Sequence, residues 1–327
     1  PPKNHSWPES LRHDPDQLDQ DLIKELRERF PLLWGSDPSY YWATTRKGAL
    51  AQLDNFLNFH FANFGPLEDA MPLASDSWQV HHSLLSPYLN IGLLHPSEVI
   101  DAALKRFEAG GIPIASCEGF IRQIIGWREY VYGLYWFFGY EYRFNNQLGA
   151  KRDLLPLFHD PAKTEMNCLK DVISAIEARA WHHHIPRLMI LSNLALLSGV
   201  NPEQFLNWFS EVFIDAFDWV MVPNVIGMGV HSDGGAMMTK PYAAGGSYIS
   251  KMSHFCGGCR YDPKLRIGPD ACPFTTLYWD FLDRHRERFI KNQRISQQVR
   301  GLDRLKDLDE LRVRAKEVLD GLSKGVI

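Results

Sequence analysis

The residues in this sequence best equipped for metal or proton chemistry are its cysteines and a run of three histidines. Cys256-Gly257-Gly258-Cys259 is followed, after twelve intervening residues, by Cys272-Pro273, with Cys168 far upstream and Cys117 left over. Four thiolates can close a tetrahedral zinc site or hold an iron–sulfur cluster, and two residues between ligands let one loop present both sulfurs to one centre. Zinc ribbons usually supply two paired knuckles. One pair plus two single cysteines, one of them followed by Pro, leans toward a cluster and leaves zinc open. Cys117 reads as a small buried side chain.

Trp181-His182-His183-His184-Ile185-Pro186-Arg187 sets three imidazoles ahead of a proline. Pro186 has no N–H, so a helix is expected to begin near it, with His184 by its positive end. Helical continuation puts Trp181, His184 and Arg187 on one face: an aromatic, a proton donor and a fixed cation, suited to an anionic flavin or nucleotide. Upstream, His81-His82-Ser83-Leu84-Leu85-Ser86-Pro87-Tyr88 offers two hydroxyls and free backbone donors by a helix start, which a pyrophosphate needs, although most serine caps bind nothing. Arg122, Gln123, Trp127 and Arg128 stud an otherwise apolar helix. A buried Arg is costly unless paired, so Arg128 or Arg187 is expected to meet Asp215 or Asp218. Arg284, Arg286, Arg288, Lys291, Arg294 and Arg300, against Glu287 alone, predict a helix with either a phosphate-facing or a merely solvated side.

Helices must position these groups. Apolar residues recur at helical spacing at Leu22, Ile23, Leu26 and Phe30, at Val99, Ile100, Ala103, Leu104 and Phe107, and at Leu206, Phe209, Val212 and Phe213. The fold class is therefore mainly α. Asn201-Pro202-Glu203-Gln204 predicts a capped helix running to about Ile214, with Gln204 reaching back to the cap. Residues 223–270 carry nine glycines among aromatics and read as a long loop that a ligand or metal would have to order.

Composition sets the outer limits. The chain has 327 residues, 45% hydrophobic and 23% charged, enough for a sizeable core and incompatible with disorder as the main state. A net charge of −4 excludes a uniformly basic coat. Five cysteines are too few for a secreted disulfide scaffold, no signal-peptide pattern opens the chain, and no apolar run nears the roughly 18 residues of a membrane span. These features predict a soluble protein of a reducing cytoplasm. The opening Pro, in place of Met, points to a cut or processed chain.

Taken together, HSLLSPYLN at 82–90, EGFIRQIIGWREYV at 118–131, MNCL at 166–169, WHHHIPRLM at 181–189, KPYAAGGSYISKMS at 240–253 and CGGCRYD…ACPF…LYWDFL at 256–282 resemble the iron–sulfur bacterial cryptochromes and photolyases, which include prokaryotic (6-4) photolyases. The resemblance covers essentially the whole chain but only the helical C-terminal portion of that family. The α/β antenna domain with which such proteins normally begin is absent from this sequence. The resemblance implies a linker and first helical segment at 1–44, a photolyase-type helical FAD-binding catalytic domain at 45–327, and an Fe–S lobe at about 165–280.

The resemblance further implies a U-shaped FAD held by the Ser83, Leu84 and Ser86 loop, with Gln123, Trp127, Arg128 and Trp181 beside it and an Arg187–Asp215 pair near the isoalloxazine. Asn224 joins this set, and Met221 stands at flavin N5, where relatives carry an acid or amide. Cys168, Cys256, Cys259 and Cys272 would hold a [4Fe–4S] cluster. His184 is similar to the family's proton donor. Trp208 survives from an aromatic relay depleted by Asp160, Phe209 and Phe217. The implied activity is light-driven repair of pyrimidine (6-4) photoproducts by electron transfer from reduced FAD to a flipped-out lesion. The depleted relay and Met221 favour an alternative, a cryptochrome-like blue-light signalling protein. A third reading is an Fe–S nucleic-acid-binding module similar to the primase large subunit, without flavin. The implied partner is damaged DNA, met by a monomer through Arg284, Arg288, Lys291 and Arg294.

Overall fold

Helices carry the fold. The computed structural model describes residues 2, 5–36 and 40–327, and among them extended pairing is limited to two isolated bridges, Arg152 with Val200 and Asp262 with Ala271. The mainly α class expected from the apolar periodicity is what the chain adopts. No helix among the described residues is long and apolar enough to cross a membrane.

Contacts divide the chain into two units. The first comprises Pro1–Tyr130, Ala175–His183 and Val212–Phe217, and the second Val131–Ser174, His184–Glu211 and Asp218–Ile327. In the first unit, Pro96–Glu108 starts where proline is tolerated, after His95. The His95 ring accepts from Ser97 N, while the Glu98 carboxylate accepts from the His95 N–H in return. Its buried face, Val99 and Ala103, meets a core of Phe56, Phe61, Phe64 and Phe120 that also takes in Cys117, 3% exposed. The Phe61–Leu67 and Ile114–Ile121 helices come close enough that a Cβ at Gly65 would lie 2.9 Å from the Ser116 backbone nitrogen. Gly65 N donates to Ser116 Oγ across that approach, at 3.0 Å.

The second unit is built around a buried, mostly apolar stretch interrupted by Ser192 and Asn193: Leu188, Ile190, Leu191, Leu194, Ala195 and Leu197 are all buried. The Pro202–Val212 helix is capped as expected by Asn201, whose Oδ1 accepts from Glu203 N and Gln204 N. Gln204 differs from expectation. Its side chain accepts from Leu154 N and donates to Asp153 Oδ1, tying down a neighbouring loop instead of the cap. The basic segment also differs: it is not one helix but three short ones, Pro273–Arg284, Arg286–Phe289 and Ser296–Arg300.

The glycine-rich stretch is ordered largely by its own bonds. It holds a π-helical turn, Pro223–Gly229, an α-helix, Gly246–Met252, and a 3-10 turn, Phe255–Gly258. Between the first two, Asp233, 4% exposed, accepts from Tyr142 Oη at 2.7 Å, Gly235 N at 2.9 Å and Met237 N at 2.8 Å. Buried donors left without an acceptor are costly, so this carboxylate fixes the loop. Asp233→Ala is expected to lower the unfolding free energy by about 3 kcal/mol and Tyr142→Phe by about 1 kcal/mol, as read by urea denaturation. Equal stability of Asp233→Ala and the parent chain would refute this role.

Candidate functional site

Cys168, Cys256, Cys259 and Cys272 line one cavity in the second unit, walled by Met166, Ile249, Phe255, Tyr261 and Phe274. Local structure brings them there. The Asp262–Ala271 bridge closes the intervening loop, with Asp262 N donating to Asp270 O and Cys272 N to Asp262 O, at 2.8 and 3.2 Å. Gly246 N donates to Thr275 Oγ1 at 2.9 Å, and a Cβ at Gly246 would lie 2.8 Å from Cys272 Sγ, so only glycine passes. All four cysteines are free.

Burial, followed by the other three sulfurs, pushes the Cys168 thiol well up. Burial likewise pushes Cys272 up to about 11 and raises Cys256. No charged side chain lines the cavity. Among the described residues, no group of three or more His, Cys, Asp or Glu is arranged to hold a single metal ion. The metal-ligating donors that line this cavity are four sulfurs, in a largely apolar shell.

In the first unit, a polar chain joins residues far apart in sequence. Ser86 Oγ donates to Asp215 Oδ2 at 2.7 Å, Asn90 Nδ2 to Asp215 O at 2.9 Å, and Arg128 Nη1 to Asn90 Oδ1 at 2.9 Å. Ser86 and Asn90 are four apart on the short Ser86–Asn90 helix and so reach the same acceptor residue. Burial lowers the Arg128 pKa, partly offset by Glu129. Gln123 donates to Glu68 Oε1 at 2.7 Å, and burial, then Asp69, raises the Glu68 pKa. Trp127 is 36% exposed beside Tyr130. Leu84, with a left-handed φ of 58°, packs with Trp78 and Trp181; Ser83 O accepts from Gln52 Nε2 at 3.0 Å.

The histidine run does not behave as one tract. His182 and His183 are buried in the first unit, where His183 stacks on His82 at 4.4 Å between ring centres. His184 begins the helical run of the second unit, two residues ahead of the expected Pro186 start. Trp181 precedes that run and packs with Trp78, so Trp181, His184 and Arg187 do not share a helix face. His184 presents accessible surface, while desolvation first and the Arg187 charge second lower its pKa. With that surface open, the Arg187 charge is the cause the geometry supports better.

Met221, 4% exposed, lies on Asp218–Val222, and Asn224 Nδ2 donates to Val220 O at 2.7 Å. Trp208 Nε1 donates to Phe158 O at 3.0 Å, with Phe158, Phe205 and Phe209 around its ring. Asp160 caps the Pro161–Lys163 turn by accepting from Ala162 N.

Arg143 pairs with Asp218, and Asn90 links the Arg128 guanidinium to the Asp215 main-chain carbonyl. Three cations of the basic segment have protein partners: Arg284 donates to Asp280 Oδ2 at 2.6 Å, Arg286 pairs with Asp303, and Arg288 donates to Gln147. Lys291 and Arg294 are exposed.

No protein-family model matches the chain. Over 283 residues, 86% of the chain, it is 46% identical to a (6-4) photolyase of Agrobacterium fabrum, and the match covers 55% of that protein, so the chain spans about half the length of this curated relative. An uncharacterised protein of Acanthamoeba polyphaga mimivirus, R855, is 33% identical over 101 residues, covering 31% of the chain and 75% of that protein. The crystal structure of a bacterial class III photolyase from Agrobacterium tumefaciens superposes with a TM-score of 0.50 at 17% identity, covering 95% of this chain and 60% of that one. That likeness is one of fold.

Two further histidines of the first unit set a pH dependence. His60 and His81 are 0% and 1% exposed. Burial lowers His60 to about 4, and burial followed by the charges of His60, His5 and His82 lowers His81 to about 3. Below the ordinary value of about 6.5 the unfolded chain protonates these rings while the folded chain does not. Stability is therefore full above about pH 6.5 and falls as pH drops toward 4, by up to about 1.4 kcal/mol per pH unit per histidine. Urea unfolding at a series of pH values is expected to show this slope, with His60→Phe flattening it; an equally steep slope in the variant would contradict the assignment.

Proposed function

Because the chain belongs to the photolyase and cryptochrome family, as a homologue of (6-4) photolyase, we propose that it performs light-driven repair of pyrimidine (6-4) photoproducts in DNA, with FAD and a [4Fe–4S] cluster as resident groups. The relative's activity supports the reaction. The gathering of four free sulfurs, without oxygen or nitrogen donors, in one apolar cavity supports the cluster. Cys168, Cys256, Cys259 and Cys272 would hold it, with Phe255 and Phe274 keeping water from the sulfurs.

Bound, reduced FAD would supply the light-excited electron that opens the lesion. The chain's own residues do the rest. Ser83 and Ser86 would meet the diphosphate, and Asn90, bonded to the Arg128 guanidinium and to the Asp215 main-chain carbonyl, ties those two segments together. Gln123 and Trp127 would flank the dinucleotide, Leu84 and Trp181 would supply apolar surface, and Met221 and Asn224 would be further contacts. Arg187 would balance negative charge on the flavin. His184, kept neutral by its surroundings, offers an imidazole N–H to the lesion; an anion brought beside it would raise its pKa and let it carry a second proton. DNA would be met by exposed cations such as Lys291 and Arg294.

A cryptochrome-like role is the second reading, favoured by one observation. Trp208 is wrapped by phenylalanines, which do not accept or pass on a hole as Trp and Tyr do, and Asp160 serves as a turn cap.

Purified anaerobically with FAD, the chain is expected to contain about four irons per polypeptide and to restore (6-4) lesions in an oligonucleotide under blue light. Cys272→Ala is expected to lose iron. His184→Asn is expected to keep the flavin spectrum and lose repair by at least about a hundredfold. A flavin-bearing chain that restores no lesion would sink repair in favour of signalling, and a chain without flavin would sink both.

A further inference from the structure

A cavity of about 370 Å³ lies in the second unit, lined by none of the cysteines or flavin-directed residues above. Its polar rim is Lys151, Arg152, Arg284, His285 and Ser232, and its floor is apolar, including Leu148, Val200 and Val230. We propose that this cavity binds an organic phosphate, the phosphate at the cationic rim and the organic body on the apolar floor.

The size falls within the range of small-molecule sites. Three cations and no carboxylate line it; Asp280, bonded to Arg284, neutralises one of the three from outside the lining. Two of the cations are held in place. Arg152 Nε donates to Ser198 O at 3.1 Å and Nη1 to Ser323 Oγ at 2.8 Å, while Arg284 Nη2 donates to Leu197 O. Those carbonyls end the Asn193–Ser198 helix, so the two guanidinium groups cover the negative end of its dipole. Arg152 Nη2 and Arg284 Nη1 remain as donors, aimed by groups that are already fixed.

Gly199 closes the helix in a left-handed conformation, φ 71°, and even a Cβ there would stand 3.8 Å from Arg284 Nη1. Arg152 N donates to Gly199 O at 3.0 Å, which pins the Lys151–Arg152 wall to the helix end. Lys151 is exposed and, among the described residues, makes no hydrogen bond or ion pair, which leaves its ammonium for a ligand. Burial, then Arg284 and Arg288, keeps His285 neutral, so its ring adds a hydrogen bond without adding charge. A phosphate ester, with two or three acceptor oxygens on an apolar body, matches this arrangement better than a neutral ligand or a cation.

Such a phosphate could come from a free nucleotide or from the DNA backbone. Isothermal titration of the full chain with adenosine 5′-monophosphate, adenosine and a lesion-free duplex separates the sources. Adenosine 5′-monophosphate is expected to bind one per chain, adenosine not at all, and Lys151→Glu to weaken binding about tenfold or more, one charge-assisted contact. Lys151 is exposed, so the variant folds. Ser86→Ala, in the flavin-directed segment, is expected to leave the affinity unchanged. If only the duplex binds, and Lys151→Glu weakens it, the site takes a backbone phosphate. If neither ligand responds to Lys151→Glu, the pocket proposal is overturned. Binding lost in Ser86→Ala but kept in Lys151→Glu overturns it too, while leaving the flavin reading intact.

Discussion

Sulfur packing in a cavity without charge is the constraint from which much of the second unit follows. Four gathered thiols, of which burial and then neighbouring sulfurs raise the pKa of Cys168, Cys256 and Cys272, with no cation in the wall, are a poor resting arrangement for anything but neutral thiols or a bound positive centre. Bringing them together requires the backbone at Gly246 to pass within contact distance of Cys272, which excludes any side chain there. It requires a twelve-residue loop to be folded back by the Asp262–Ala271 bridge. It also requires Thr275, in the first turn of Pro273–Arg284, to accept from Gly246 and donate to Pro263 O at 2.8 Å. Glycine content that looks like disorder in the sequence is, at this position, close approach.

The first unit solves a different problem, the placement of charge. Asp215 is 7% exposed, and a carboxylate so buried needs donors. Ser86 donates to the carboxylate, Asn90 from the same turn of helix donates to the Asp215 main-chain carbonyl, and Asn90 passes the constraint on to Arg128. A neutral amide between the guanidinium and the Asp215 main chain ties the two segments together.

The helical class, the Asn201 cap and the convergence of the cysteines were legible because each rests on local chemistry: apolar period, capping side chains, ligand spacing. Face assignments were less so. Gln123, Trp127 and Arg128 lie on the π-helical turn Arg122–Arg128, Arg187 opens another at Arg187–Ser192, and Asn224 lies on Pro223–Gly229. A π turn inserts a residue into the 3.6 period, so a face counted at threes and fours slips by about a third of a turn. Trp181 escaped for a related reason: Ala180 is left-handed, φ 54°, and ends the preceding helix before the count could begin. Charge in the basic run does not say which cations already have partners. Asp280 and Asp303, from outside the run, take Arg284 and Arg286.

Left-handed backbone at residues with a side chain costs of order 1–3 kcal/mol each and survives only where packing over-determines it. Among the described residues there are four: Val80, Leu84, Ala180 and His231. Three of them, all in the first unit, border His81, Ser83 and Trp181, and the fourth borders Ser232 and Asp233. Leu84 is clamped between Trp78 and Trp181, and Ala180 O accepts from Ile214 N at 2.8 Å, one residue before Asp215. The Trp78–Leu84–Trp181 packing and the Asp215 hydrogen bonds therefore support the same strained backbone. Loosening either would relax both, so the polar chain through Asp215 and the tryptophan cluster act as one rigid element, the stiffness a site needs if it is to hold a large planar group in a single pose.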